Sequence, residues 1–319
     1  MLDVVALGEL LIDFAPISTD AAGYPALQAQ PGGAPGNFLA ALQKYGCRTA
    51  LLGKVGADSF GRLLVRTAAE KGIETRGVVA DPAVFTTLAF VTLDATGNRE
   101  FSFARKPGAD TCLTPEEVDK ALIDEARVFH FGTLSLTGEP ARAATQQAVA
   151  YAKEKGKLIS FDPNLRKPLW ESEADAKQQI EWGLRQADVF KISDEEIDFL
   201  WGLAPEAGAQ KLLAEYGVQL VYATLGPKGC FTANAGASAA VESPAGIRVV
   251  DTTGAGDIFG GSAMSQLLPC LKAGRTPAEL TAGELRAITR FACCAASLST
   301  QTHGGINSVP DEAAVRGIL

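Results

Sequence analysis

The sequence predicts an α/β fold: a mostly parallel β-sheet with helices on both faces, and a small second sheet standing off it. Three observations carry this. Six short apolar runs recur along the chain, helix-spaced segments separate them, and one β-rich stretch breaks the alternation. The runs at 4–7, 50–54, 128–131, 158–161, 189–192 and 220–224 are mostly apolar without strict alternation, as strands buried on both faces are. Between them, apolar residues fall three and four apart. Phe38, Leu39, Leu42 and Tyr45 make one helical face, within a helix expected at 38–45. Ala144, Val149 and Ala152 belong to a second face, and Ile197, Leu200 and Trp201 to a third. Alternating β and α units of this kind build a parallel sheet, whose ligands sit at the carboxyl ends of the strands.

The stretch 86–104 departs from that rhythm. Two β-rich runs flank a turn at Asp94-Ala95-Thr96-Gly97-Asn98, which is a hairpin and not a βαβ unit. Together with 12–16 it would form a small sheet projecting from the core, a natural lid; an edge hairpin of the main sheet is the alternative. Neither an internal repeat nor a low-complexity segment occurs, and 1–319 reads as a single unit.

Composition narrows the function. With 47% apolar and 7% aromatic residues a sizeable core is expected. The net charge of −8 argues against nucleic-acid binding, although a local nest of amides with a few cations can still hold a phosphate. The six cysteines form no CxxC pair, and Cys293 and Cys294 adjoin in an alanine-rich helical stretch, as reduced core thiols of a cytosolic protein do. Only two histidines occur, His130 and His303, which leaves little room for a histidine metal site or a Ser-His-Asp device. The N-terminal MLDVVALGELLIDFAP is interrupted by Asp3 and Glu9 and lacks a basic leader, so it reads as a core strand. No run approaches the roughly 18 apolar residues of a membrane span. A soluble, cytoplasmic protein is expected.

The densest chemistry lies in VDTTGAGDIFGGSA at 250–263, with four glycines and two aspartates. A strand is expected at 248–250, and a helix through Ile258, Phe259, Met264, Leu267 and Leu268. Between them, Gly254-Ala255-Gly256 would open that helix, whose first amides are unpaired and whose dipole favours an anion. Free of bulky side chains, those amides can close on a phosphoryl oxygen. Asp257, in the first turn, cannot bind phosphate, but it can take a proton from a hydroxyl that attacks phosphorus. The alternative is a plain N-cap, with Asp251, Thr252 or Thr253 capping and Asp257 complementing the dipole.

Four further clusters carry weaker signals. Pro31-Gly32-Gly33-Ala34-Pro35-Gly36-Asn37 precedes the first helix; its glycines admit a ligand, and Asn37 offers a donor and an acceptor suited to a polyol. A plain loop with a proline start signal is the other reading. Phe161-Asp162-Pro163-Asn164-Leu165-Arg166-Lys167 follows a buried strand, where the sheet would present a ligand or simply a solvated loop. Lys191-Ile192-Ser193-Asp194-Glu195-Glu196 has the Ser-to-Glu spacing of a capping box, which alone would explain it. Thr224-Leu225-Gly226-Pro227-Lys228-Gly229 is a turn after a strand. Walker loops, kinase HRD and DFG signatures, and a GxGxxG after the first strand are all absent, the last excluding a Rossmann dehydrogenase.

In this order and spacing the five clusters resemble the ribokinase-like PfkB sugar kinases over essentially the whole chain, and GGAPGN, FDPNLR, KISDEE and TLGPKG look most like bacterial fructokinases. The resemblance implies a ribokinase-like three-layer α/β/α core with a small β-sheet lid from about 12–16 and 86–104. It implies Asp257 as catalytic base and the Gly254, Ala255 and Gly256 amides as anion hole. Asp13, Gly32, Gly33 and Asn37 would bond sugar hydroxyls, and Asn164 and Arg166 would lie near the sugar and the transferred phosphate. Lys191, Ser193, Glu196, Thr224, Gly226 and Gly229 would line the nucleotide. Ser193 stands where the family often has Asn, and Glu196 would meet Mg²⁺ through water. Thr302-His303-Gly304-Gly305-Ile306-Asn307-Ser308 resembles the loop bordering adenine, placing His303 and Asn307 there. Asp251, Thr253 and Ser308 would close a monovalent-cation site.

The implied activity is transfer of the γ-phosphate of ATP to the 6-hydroxyl of D-fructose, with ATP, Mg²⁺ and K⁺. 2-Keto-3-deoxygluconate is the rival acceptor, its carboxylate needing Arg105 or Arg166; other sugar or nucleoside kinases come next, and a non-catalytic sugar-binding regulator is a remote alternative. Phe90, Phe101 and Phe103 would give the lid an apolar face, so a homodimer through the lid is expected.

Overall fold

A computed structural model describes residues 1–93 and 99–319, so the turn expected at Asp94-Ala95-Thr96-Gly97-Asn98 lies outside the described residues. The first strands are β1 (Val4–Leu7), β2 (Leu11–Thr19), β3 (Pro25–Gly32), β4 (Thr49–Gly56), β5 (Val78–Asp81), β6 (Leu88–Leu93) and β7 (Arg99–Ala104). They continue as β8 (Val128–Gly132), β9 (Leu158–Asp162), β10 (Val189–Ser193), β11 (Leu220–Thr224), β12 (Cys230–Ala233) and β13 (Ser238–Val241). The helices are α1 (Ala34–Lys44), α2 (Ser59–Glu70), α3 (Lys120–Glu125), α4 (Ala141–Glu154) and α5 (Glu173–Leu184). After them come α6 (Asp194–Trp201), α7 (Pro205–Tyr216), α8 (Ala255–Lys272), α9 (Ala282–Ser299) and α10 (Glu312–Arg316).

Nine strands form the main sheet in the order β13-β12-β11-β10-β9-β8-β1-β4-β5, parallel except where β12 and β13 turn back. Its central strands bury both faces because successive side chains point to opposite sides. Val4 and Ala6 of β1 join one core with α1, α2, α8 and α9, while Val5 and Leu7 join another with α3 to α7. The two cores make the three layers. The chain winds outward from β1 through β4 to β5, then restarts at β8, so the strand order reverses between β1 and β8. A crevice opens there, at the carboxyl ends of the strands.

The second sheet is β3-β2-β6-β7, with β2 and β6 parallel and the outer pairs antiparallel. The expected lid therefore exists as a separate sheet, but β3 was not expected. Its sequence, Pro25 to Gly32, alternates only weakly (Leu27 and Ala29 against Gln28 and Gln30) and carries two prolines, and pairing with β2 makes it a strand. Phe14 of β2 stacks on Phe90 of β6 at 5.2 Å and meets Phe60 of α2 edge-on at 5.7 Å.

Two expectations need correction. The first helix begins at Ala34, not Phe38, because Pro35 fits the first helical turn, which has no use for its missing amide hydrogen. Asn37 consequently lies inside the first turn. No strand forms at 248–250: Val249 and Val250 are exposed, no sheet edge stands beside them, and the amides of Val250 and Asp251 donate instead to Thr300 O at 2.7 and 3.0 Å.

Candidate active site

At the crevice, the N-termini of α1 and α8 face the ends of β8, β9 and β10. Helix α8 starts at Gly254, whose φ of 76° is left-handed and whose missing Cβ would fall 2.8 Å from Gly305 Cα and 3.0 Å from Asn37 Nδ2. Only glycine suits both demands. No side-chain oxygen caps this helix. Its first turn is thereby left to an anion, apart from the Ala255 amide, which reaches back to Thr252 O at 3.2 Å.

Asp257 sits in that first turn, 9% exposed, and its Oδ2 accepts a hydrogen bond of 2.8 Å from Asn37 Nδ2. Burial raises its pKa, against the Asn37 hydrogen bond and the nearby charges of Lys191 and Arg166. Asn37 is itself buried, and its Oδ1 has no partner among the described residues. That oxygen is closed off against Gly305, on which a Cβ would fall 2.4 Å from Oδ1.

Lys191 enters from β10. Its ammonium meets Asp162 Oδ2 at 3.0 Å and Oδ1 at 3.1 Å, and a Cβ on Gly256 would lie 3.1 Å from its Nζ. Burial alone would depress this lysine, but Asp162, Glu196 and Asp257 reverse the effect and keep it charged. A buried cation thus stands against the first turn of α8, where a transferred phosphoryl group would need one. Asp162, at the end of β9, was missed in the sequence as a site residue. Its signal was its place one residue beyond a buried strand, beside a lysine at the matching end of the next strand.

Glu196 completes the capping box with Ser193 and also binds the FDPNLR loop. Its Oε2 accepts the Ser193 amide and its Oε1 the Leu165 amide, each at 2.8 Å. The capping explanation holds, and the same carboxylate fixes the segment carrying Asn164 and Arg166. Asn164 has a φ of 45°, the one non-glycine residue with positive φ among the described residues, in a conformation that asparagine tolerates.

From the lid, Asp13 of β2 faces Arg166 across the crevice. Burial pushes its carboxyl up to about 7; Arg166 opposes this, and Asp257 and Asp251 add to it. Gly32 of β3 lies directly beside Asp13, and Gly33, with a φ of 113°, caps α1 where a Cβ would strike Glu9 O at 2.4 Å. A cavity of about 10 Å³, large enough for about one water, opens between Pro35, Phe38, His130, Gly132, Asp162 and Asp257. His130 stacks on Phe38 at 3.7 Å and pairs through Nδ1 with Ser160 Oγ at 3.0 Å; burial depresses its pKa to about 3, so it stays neutral.

At the end of β11, Thr224 Oγ1 donates to Ile192 O at 3.3 Å. A tight turn over Gly226–Lys228 follows, closed by Leu225 N donating to Gly229 O at 2.8 Å. Asp251 is buried, and its two oxygens accept the amides of Thr253 at 2.8 Å and Gly304 at 3.1 Å. His303 is exposed with Nδ1 3.7 Å from Asp251 Oδ2, Asn307 is exposed, and Ser308 is buried with its hydroxyl on Gly305 O at 2.9 Å.

One expected site residue is placed elsewhere. Arg105 spends its guanidinium on Asp110, Leu134 O and Thr137, inside the protein. Its position after the lid hairpin suggested a carboxylate clamp, but Asp110 five residues on takes that role. A larger surface groove of about 560 Å³ between Arg185, Trp201, Lys211 and Tyr216 lies on the α5–α7 layer, with Arg185 paired to Glu181 and Lys211 to Glu215. Nothing there converges on a reacting centre.

The chain is similar to known proteins over nearly its whole length. The model of the pfkB family carbohydrate kinases matches residues 1–312. Fructokinase-2 of Solanum lycopersicum is 40% identical over 316 residues, covering 96% of this chain and 93% of the relative. The crystal structure of a Xylella fastidiosa fructokinase with bound ATP superposes with a TM-score of 0.87 at 28% identity, covering 100% of this chain and 98% of that one. A Vibrio cholerae O395 fructokinase bound to fructose, ADP and calcium gives 0.87 at 30% identity, covering 100% and 99%. With the fold, the uncapped α8 and these likenesses together, the chain belongs to the pfkB family of carbohydrate kinases.

Proposed function

We propose that this chain transfers the γ-phosphate of ATP to the 6-hydroxyl of D-fructose. The observation that carries the reading is Asp257: a buried carboxylate in the first turn of an uncapped helix, in a chain similar to fructokinases over nearly its whole length. The sugar would lie between the lid and the N-termini of α1 and α8. Asp257 would take the proton of the attacking hydroxyl, and its burial-raised pKa makes it a stronger acceptor than a solvated aspartate. Charge developing on the transferred group would fall on the amides of Gly254 and Gly256 and on the Lys191 ammonium; Ala255 drops out of the expected set because its amide already donates to Thr252 O at 3.2 Å. Asp13, Gly32, Gly33 and Asn37 would bond sugar hydroxyls, with Asn164 and Arg166 beside them. Ser193, Thr224, Gly226, Gly229, His303 and Asn307 would line the nucleotide.

Mg²⁺ would arrive with ATP and neutralise phosphate charge when bound. Among the described residues no three His, Cys, Asp or Glu converge into a metal cage. None is needed for an ion that keeps most of its waters. Glu196, with both oxygens on backbone amides, would meet it only through water. K⁺ fits beside Asp251, one buried charge with the neutral oxygens of Thr253 and Ser308 at hand, and would order the 302–308 loop. A cytosolic setting agrees with six free thiols, no helix of the described residues is long and apolar enough to cross a membrane, and the exposed Ile17, Tyr24 and Leu27 would serve a lid-to-lid dimer.

The test is ADP release from Mg-ATP with K⁺ present, across fructose, 2-keto-3-deoxygluconate, ribose, glucose and adenosine. Turnover on fructose above the others is expected. Preference for the keto-deoxy acid would overturn the acceptor and require Arg166, since Arg105 is occupied. Silence on every sugar in a chain that still binds ATP would overturn the activity.

A further inference from the structure

Strands β2, β6 and β7 are tied at their roots to one buried polar cluster, and Glu9 stands near it at the root of β3. Arg105 follows β7 directly. Its Nε and Nη2 donate to Asp110 Oδ2 at 2.9 and 2.7 Å, and the two side chains are 4% and 2% exposed. The remaining guanidinium contacts reach Leu134 O at 2.8 Å and Thr137 Oγ1 at 2.9 Å, in the turn after β8. Asp110 Oδ1 accepts the hydroxyl of Thr87, the residue before β6. Thr87 in turn takes the amide of Ile12, at the start of β2, on its carbonyl at 3.1 Å. Glu9, between β1 and β2, accepts the amide of Ala34, just past β3, at 2.8 Å and lies within the fields of Arg105 and Asp110. The cluster has no room to slacken: a Cβ on Gly108 would fall 1.8 Å from Thr87 Oγ1.

Beyond these roots the lid meets the core through Phe14, which packs edge-on against Phe60 of α2. Residues of β2 and β3 are buried only near the roots, and both strands become exposed toward the Asp20–Tyr24 turn. A buried ion pair with its hydrogen bonds satisfied is stiff, because moving either partner exposes an uncompensated charge. We propose that Arg105, Asp110 and Thr87, with Glu9, form the fixed post of the lid, and that they are positioning residues which set Asp13, Gly32 and Gly33 over the sugar. Their polar atoms are committed to one another and to Leu134 and Thr137. The inference rests on the sugar-kinase reading above.

The discriminating variants are Thr87→Val, which removes the hydroxyl donated to Asp110, and Thr87→Ser, which keeps it; Asp110→Asn is the stronger perturbation. Losing a hydrogen bond to a charged group predicts a sugar KM higher by roughly tenfold in Thr87→Val, with the KM for ATP and kcat near their original values. ADP formed in excess of sugar phosphate should also rise, as a loosened lid admits water. Thr87→Ser should restore both. A folded Thr87→Val with unchanged sugar KM and unchanged coupling, or a lowered Tm alone, would overturn the proposal. Hydrogen exchange supplies a readout independent of the acceptor. Faster exchange across β2 and β3 in Thr87→Val, with the main sheet unaffected, is expected even if the unaltered chain phosphorylates no sugar, an outcome that would sink the kinase reading and not the post. Unchanged exchange in those strands overturns the post itself.

Discussion

Asn37 and Asp257 stand 220 residues apart in the chain and 2.8 Å apart in the fold, the amide of one helix's first turn donating to the carboxylate of another's. The contact joins the sugar-side cluster to the base. A donor on the ionised carboxylate favours that form and opposes the burial that raises its pKa. Asn37→Leu removes the donor, so the pKa of Asp257 should climb further. Because turnover needs the ionised base, the acid limb of kcat/KM should move to higher pH, and the loss of activity should grow as the pH is lowered. A pH–rate profile reads this; an unmoved acid limb would show that Asn37 serves the sugar alone.

Asp257→Asn keeps size and a polar terminus but cannot take a proton. General-base loss predicts a fall in turnover of about 10²–10⁴-fold, with ATP and fructose binding retained. Calorimetric titration beside initial rates separates the two. Binding lost together with rate would assign Asp257 to substrate recognition.

Lys191 lies against Gly256 while bonded to Asp162. If its charge serves the transferred phosphoryl group, Lys191→Met should lower kcat by about 10²–10³-fold and weaken ATP binding far less. Equal losses in kcat and ATP affinity would instead mark a ground-state contact with the nucleotide.

The fold was readable where burial writes itself into composition. Strands β1, β8, β9, β10 and β11 are mostly apolar because both their faces are covered, and the sequence runs that mark them end within a residue or so of the observed strands. Strand β3 escaped notice because its ladder to β2, not its side chains, makes it a strand. The opposite error occurred at Val249 and Val250, whose β-branched pair looks like a strand but has no neighbouring edge. The glycine-rich start of α8 was readable because its chemistry is local, seven residues long. Pairings across elements were not: Lys191 finds Asp162 only through the parallel register of β9 and β10.

Glu9 offers a test of the cluster's electrostatics that does not touch catalysis. The side chain is 3% exposed, and burial pushes its carboxyl up to about 7, against hydrogen bonds from its own backbone and Ala34. An unfolded glutamate titrates near about 4.3. Between those values the folded chain holds a proton that the unfolded chain has lost, so stability falls as pH rises through this window and levels off above it. Glu9→Gln abolishes the titration, and its carbonyl can still accept the Ala34 amide. The variant should therefore melt higher than the parent at pH 8, on the order of 2–4 °C for each kcal/mol recovered, and the gap should shrink steadily toward pH 4. Thermal melts across that range are the measurement. A gap that does not change with pH would mean that Arg105 keeps Glu9 ionised in the folded chain, and that the carboxylate belongs to the ion pair and not to the helix start.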